Sequence, residues 1–185
     1  PELHANAITS LLADEKGTLW IGTYGGGVTR LQGGKFRHFS AEDGLTSNII
    51  NHIAEDNDKN PWFATIGGVF QFQDEKFVPL HANGGPVFEV AMYLLPDWRG
   101  NLWIGTEKGL HRVNLKTRKV DSFTSKDGLA GDTIRGLFID RKAYLWIGTT
   151  KGLSCIKNKL PDLRRKRFLT ITSKNGLAGD WVRSI

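Results

Sequence analysis

Apolar residues along this chain fall into short runs, such as Ile49 to Ala54, Val69 to Gln73 and Phe77 to Leu80, and Gly, Asn and Asp clusters separate them. Runs of this length bounded by turn residues predict strands joined by hairpins. No apolar stripe of helical period competes with them. In the leading runs of each unit both alternating parities are apolar, the pattern of a strand covered on both faces.

The runs recur. Trp20, Trp62, Trp103 and Trp146 stand 42, 41 and 43 residues apart. Around them the windows read Asp14-Glu-Lys-Gly17-Thr-Leu-Trp20-Ile-Gly-Thr23, Asp56 through Thr65, Asp97-Trp-Arg-Gly100-Asn-Leu-Trp103-Ile-Gly-Thr106 and Asp140-Arg-Lys-Ala143-Tyr-Leu-Trp146-Ile-Gly-Thr149. A glycine turn follows each, as Gly25-Gly26-Gly27-Val28, Gly67-Gly68-Val69, Lys108-Gly109-Leu110 or Lys151-Gly152-Leu153. Three units then close on Asp43-Gly44-Leu45, Asp127-Gly128-Leu129 or Asn175-Gly176-Leu177. Each unit reads as a four-stranded meander, and sheets covered on both faces stack radially, as the blades of an all-β propeller do.

The chain, residues 1–185, is one propeller segment with repeats at about 6–47, 48–88, 89–131 and 132–179. Residues 180–185 read as the first strand of a fifth blade, since Asp180 to Ile185 aligns with Asn48 to Ile53. The expectation is a fragment of a larger ring, completed by other blades or by a second copy of the chain, with a compact four-bladed ring as the alternative. An Asp with Gly three residues on fits a tight turn with a positive φ. Lys59 and Ala143 at the Gly position predict looser turns in the second and fourth units.

Composition narrows the chemistry. The 22 glycines carry no triplet period and serve as turn punctuation. No stretch reaches the roughly 20 apolar residues of a membrane helix, and Pro1 to Asn6 show neither an initiator Met nor a signal peptide, as in a piece of something longer. A single cysteine, Cys155, excludes an internal disulfide and a cysteine-based metal cluster within one chain. The formal charge of +6 favours acidic partners, but the basic residues are dispersed. The one basic run, Arg164-Arg165-Lys166-Arg167 in an insertion from Lys157 to Arg167, lacks interleaved aromatics and does not predict nucleic-acid binding.

Several residues invite catalytic or metal-binding readings that fail on placement. The recurrent Asp14, Asp56, Asp97 and Asp140 each precede a turn and are spread around the ring, where a catalytic pair needs about 5 to 10 Å. Asp56-Asn57-Asp58 opens like a calcium loop, but Pro61 and Gly67 stand where that loop needs Gly and Glu. The histidines His4, His38, His52, His81 and His111 show no zinc spacing, and Cys155 has no catalytic partners. Neither an enzyme nor a cofactor or metal site is expected. The recurring tryptophans belong to the core.

Asp-x-x-Gly-x-Leu-Trp-Ile-Gly-Thr followed by Gly-Gly-Val or Lys-Gly-Leu resembles the two-component regulator propeller repeat, and the resemblance covers nearly the whole chain. It implies the periplasmic or extracytoplasmic input region of a bacterial sensor, whose ligand is an oligosaccharide and whose output is a kinase or cyclase. No phosphoacceptor box, kinase nucleotide motif or cyclase motif occurs in this chain. The alternative is a propeller scaffold for protein partners without a small ligand.

A propeller commonly binds its ligand on the face where its inner strands begin. Tyr24, Asn48, His81, Lys108, Arg135, Lys151, Trp181 and Arg183 are the candidate ligand contacts there, with Asn83, Asp132 and Asp180 nearby. An aromatic surface for the sugar ring beside charged and amide groups for its substituents is what saccharide recognition needs. Trp181 and Trp98 have no aromatic equivalents in other repeats, and Trp181, at the start of an inner strand, is the better platform.

Overall fold

A computed structural model describes residues 5–82, 90–157, 168–183 and 185 of the chain. Among these residues, sixteen strands form four antiparallel sheets, each in simple chain order. The first blade holds β1 (Ile8–Ala13), β2 (Leu19–Thr23), β3 (Val28–Gln32) and β4 (Lys35–Phe39). The second holds β5 (Ile50–Glu55), β6 (Pro61–Thr65), β7 (Gly68–Gln73) and β8 (Lys76–Pro79). The third holds β9 (Ala91–Pro96), β10 (Asn101–Thr106), β11 (Leu110–Asn114) and β12 (Val120–Phe123). The fourth holds β13 (Ile134–Ile139), β14 (Tyr144–Thr149), β15 (Gly152–Lys157) and β16 (Leu169–Ile171). The chain is thus a run of propeller blades. The insertion read from the sequence lies, beyond Lys157, outside the described residues.

Burial explains why both parities of the inner strands are apolar. Three core clusters fill the three seams, and each draws on two blades. Trp20 and Phe39 of the first blade meet Ile50, Ile53, Phe63 and Phe70 of the second. Trp62 and Val69 then meet Ala91, Leu94, Leu102 and Ile104. Trp103 and Phe123 meet Ile134, Leu137, Leu145 and Ile147. The first seam is the most aromatic, with Trp20 edge-on to Phe63 at 5.5 Å and Phe63 edge-on to Phe77 at 5.0 Å. At its rim Glu75 pairs with Arg30 at 2.6 Å and with Arg37. Leu11 shows what an uncovered face looks like: it is 58% exposed, while its equivalents Ile53, Leu94 and Leu137 are 3% exposed or less.

The Asp-to-Trp spacing of six residues is a hydrogen-bond distance in the folded hairpin. Asp56 Oδ1 accepts the backbone N–H groups of Asp58 and Asn60, and its Oδ2 accepts the Trp62 indole N–H at 2.7 Å. Asp97 does the same for Arg99, Asn101 and Trp103, and Asp140 for Lys142, Tyr144 and Trp146. One carboxylate therefore caps the turn between the first two strands and anchors the core tryptophan. Its oxygens are already committed to these donors, so the calcium-like opening at Asp56 has none to spare. The first blade is the exception: Asp14 caps Lys16 and Thr18, but Trp20 Nε1 is buried without a partner among the described residues.

The expectation of looser turns in the second and fourth units is corrected. Gly17, Lys59, Gly100 and Ala143 all take the left-handed conformation, with φ of 76°, 64°, 73° and 63°. Each donates its N–H to the Asp three residues before it. The carboxylate and the ladder on either side hold the turn shape, and Lys59 and Ala143 accept the strain.

Residues 180–183 form no strand, since no neighbouring strand pairs with them. Val182 nevertheless donates its N–H to Thr149 O and stands over Gly148, as Ile50 stands over Gly22 and Ile134 over Gly105. It occupies the starting position of a further inner strand.

Candidate ligand-facing surface

Two sets of loops meet at the ends of the blades where the inner strands start. One set links the second and third strands of a blade, and the Thr of each Trp-containing strand ties it down. Thr23, Thr65, Thr106 and Thr149 Oγ1 each donate to a backbone carbonyl across the loop, those of Gly27, Gly68, Gly109 and Gly152. Each also accepts a loop N–H, from Gly26, Gly67, Lys108 and Lys151. The other set leads from the outer strand of one blade to the inner strand of the next. There Asp43 and Asp127 close short 3-10 turns, Ala41–Asp43 and Ser125–Asp127, by accepting the N–H of Ser40 and Thr124. Gly44 and Gly128 end these turns and bury Leu45 and Leu129.

The loops are fastened together at the seams. Gly25 and Gly27 N–H donate to Asn48 O, Thr133 Oγ1 donates to Glu107 O, and Val182 N–H donates to Thr149 O. This face carries the candidate residues in separate groups. Tyr24 is 63% exposed and bridges to Ile49, the residue after Asn48. Asn48 also serves the fold, since its Oδ1 accepts the Ala41 N–H at 2.9 Å. Asp132 and Asp180 hold the matching position and accept from Ser125 and Ser173. Lys151 is exposed with its side chain beside Gly131, and the tail carries Trp181, 69% exposed, and the exposed Arg183. His81 is exposed just after β8, and Lys108 is exposed in the loop between β10 and β11. Arg135 lies one step inside the face, on β13. Asn83 lies outside the described residues. Among the described residues, no hydrogen bond or ring contact joins Tyr24 or Asn48 to Lys151, Trp181 or Arg183.

Two clefts on the opposite face escaped the sequence reading. One, of about 490 Å³, lies between the second and third blades against Asn57, Asp58, Asn101, Asn114 and Lys116. The other, of about 660 Å³, lies between the third and fourth blades against Leu95, Trp98, Ile139 and Arg141. The one sequence signal for the second is Trp98 itself, 52% exposed at a turn position where the other blades have Glu15, Asn57 and Arg141.

Two histidines, His111 buried and His52 half-buried, carry shifted acidities. His52, on β5, stacks on Tyr93 of β9 with ring centroids 3.8 Å apart and accepts the Leu94 N–H at 3.4 Å. Burial lowers its pKa to about 4. His111 Nδ1 pairs with Ser122 Oγ at 2.8 Å, and burial likewise lowers its pKa to about 4. Both are neutral at physiological pH and serve blade packing.

Residues 2–25 match the family model described as two component regulator propeller. No curated protein matches the sequence. Among solved structures, the extracellular domain of a protein described as hybrid two component system BT3049 from B. thetaiotaomicron superposes with a TM-score of 0.77 at 24% identity. That alignment covers 95% of this chain and 24% of the other. The corresponding domain of BT4673 from the same organism gives 0.77 at 22% identity, over 92% and 26%. An inactive variant of virginiamycin B lyase from Staphylococcus aureus, solved with quinupristin, gives 0.66 at 12% identity, over 89% and 55%. At these identities the likeness is one of fold. The chain spans about a quarter of the length of these two extracellular domains.

Proposed function

We propose that this chain, whose residues 2–25 match the two component regulator propeller model, is part of the extracytoplasmic input region of a signalling receptor, and that it binds a saccharide without turning it over. The observation that carries this reading is the loop face. Its backbone is locked by the recurrent Thr and 3-10 turn hydrogen bonds, while side chains that are not common to all the blades, Tyr24, Lys108, Lys151, Trp181 and Arg183, project from it. A rigid frame bearing variable aromatic and cationic groups suits recognition of a sugar ring and its polar substituents. The resemblance to extracellular domains of two component systems supports the location and the sensing role.

The non-catalytic part of the reading is supported by how the repeat carboxylates are used. Asp56, Asp97 and Asp140 are committed to turn amides and indoles, so none is poised as a general acid or base. Glycan-array screening followed by calorimetry tests the proposal. The expected result is saccharide binding that weakens when Tyr24 or Trp181 becomes Ala, with the glycan recovered intact. Binding of no saccharide, alongside tight binding of a protein partner, overturns it in favour of a scaffold.

A further inference from the structure

Every inner strand breaks its ladder at its second residue. The register with the neighbouring strand shifts between Ile8 and Ser10, between Ile50 and His52, and between Ile134 and Gly136. In the third blade the same shift falls opposite Gly105 and Thr106. Thr9, Asn51, Met92 and Arg135 are the bulged residues. A bulge releases its residue from cross-strand pairing and re-aims its side chain.

In the first two blades the released side chain stitches one inner strand to the next. Thr9 Oγ1 donates to Ile50 O, and Asn51 Nδ2 donates to Ala91 O at 2.7 Å. Arg135 breaks the series. Its Nε is buried and has no acceptor, and its guanidinium forms no ion pair among the described residues. The acid three residues before it is already used, since Asp132 accepts from Ser125 N and Oγ, and Asp180 at the matching position of the next repeat accepts from Ser173 N.

Arg135 as a whole is half-buried, but a buried guanidinium N–H without an acceptor is costly, and native structures seldom keep one without an ion, a water or a ligand to satisfy it. The fork of a guanidinium matches the paired oxygens of a carboxylate or sulfate. Arg183 occupies the same place in the following repeat, where Asp180-Trp-Val-Arg183 aligns with Asp132-Thr-Ile-Arg135. The exposed Trp181 stands two residues before it.

We propose that Arg135, at the bulge of β13, is the anion-recognising residue of the ligand site, and that the saccharide it takes carries an oxyanion, as a uronate or a sulfate ester. This rests on the saccharide-binding reading above and adds the charge of the ligand to it.

Calorimetric titration with digalacturonate, a sulfated chondroitin disaccharide, neutral galactobiose and sodium sulfate tests the proposal on the wild type, Arg135→Met and Arg135→Lys. At least one acidic saccharide is expected to bind about tenfold or more weaker to Arg135→Met, with Arg135→Lys intermediate because a point charge replaces the fork. Without ligand, Arg135→Met is expected to melt at the wild-type temperature or above, since it removes an unpaired buried donor; a structural arginine would lower it. The two acidic sugars tell carboxylate from sulfate. Acidic saccharide that binds Arg135→Met as tightly as wild type overturns the proposal. Neutral saccharide binding unchanged by either substitution, without acidic binding, keeps the sensor reading and overturns this one. Sulfate binding lost in Arg135→Met, with no saccharide bound, supports the anion site and overturns the saccharide reading.

Discussion

Gly22 of the first blade lies beneath Ile50 of the second, so close that a β-carbon on Gly22 would stand 2.7 Å from Ile50 Cγ2. Gly105 and Ile134 repeat the relationship at 2.6 Å. At the middle seam both partners are alanines, Ala64 and Ala91, each fully buried in one cluster. A methyl group is tolerated on one side only where the facing side chain has shrunk. Gly22→Ala is therefore expected to destabilise by about 1 to 3 kcal/mol through overpacking. In the Ile50→Ala background the same change should cost much less. Denaturant melts of the four proteins in this cycle would show strong coupling, and additive effects would refute the pairing.

The Asp–Trp bond predicts an asymmetry among equivalent aspartates. Asp97→Ala leaves the buried Trp103 indole N–H and two turn amides without their acceptor and should cost about 3 kcal/mol. Asp14→Ala removes only the turn contacts, because Trp20 Nε1 is already unpaired, and should cost about 1 kcal/mol. Equal losses in chemical denaturation would contradict this division of labour.

The tight turns separate two kinds of glycine. A β-carbon on Gly100 meets nothing within 4 Å, so Gly100→Ala is expected to cost only the left-handed backbone penalty, about 1 kcal/mol. Ala143 already bears that strain in the fourth blade. A melting-temperature loss for Gly100→Ala as large as that for Gly22→Ala would show that the turn demands more than conformation.

Acid should loosen the seams through His52 and His111. The unfolded chain binds protons at each near pH 6.5, while folded His52 and His111 resist protonation until about pH 4. Between those values the unfolded state holds more protons, so stability falls as pH drops from about 6.5 towards 4. His52→Gln should flatten that part of the stability profile. In the wild type, a His52 or His111 imidazole resonance titrating near pH 6.5 would contradict the assignment.

Much of the fold was legible because one residue type marked each blade. A Trp every 41 to 43 residues, with glycine turns at fixed offsets, leaves little choice but repeated meanders. The doubly apolar inner runs likewise foretold the seams that Leu94 and Leu137 fill. The carboxylate–indole bond was hidden because six residues of sequence say nothing of distance until the hairpin folds Asp56 back onto Trp62. The strained turns at Lys59 and Ala143 were misread because propensity was weighed without the Asp that enforces them. On the loop face the residue types were readable, yet their grouping was not, since it depends on which loops bond across a seam. The bulges left no mark in composition at all: Thr9, Asn51, Met92 and Arg135 share a backbone geometry and nothing else.

That last feature sets how such a wall can change. Every other residue of an inner strand answers to a ladder partner or to the neighbouring blade's core. The bulged residue answers to no cross-strand partner, and hydroxyl, amide, thioether and guanidinium all occupy it here without altering the sheet. Each blade thus contributes one position whose chemistry can be rewritten by a single codon while the architecture stands still.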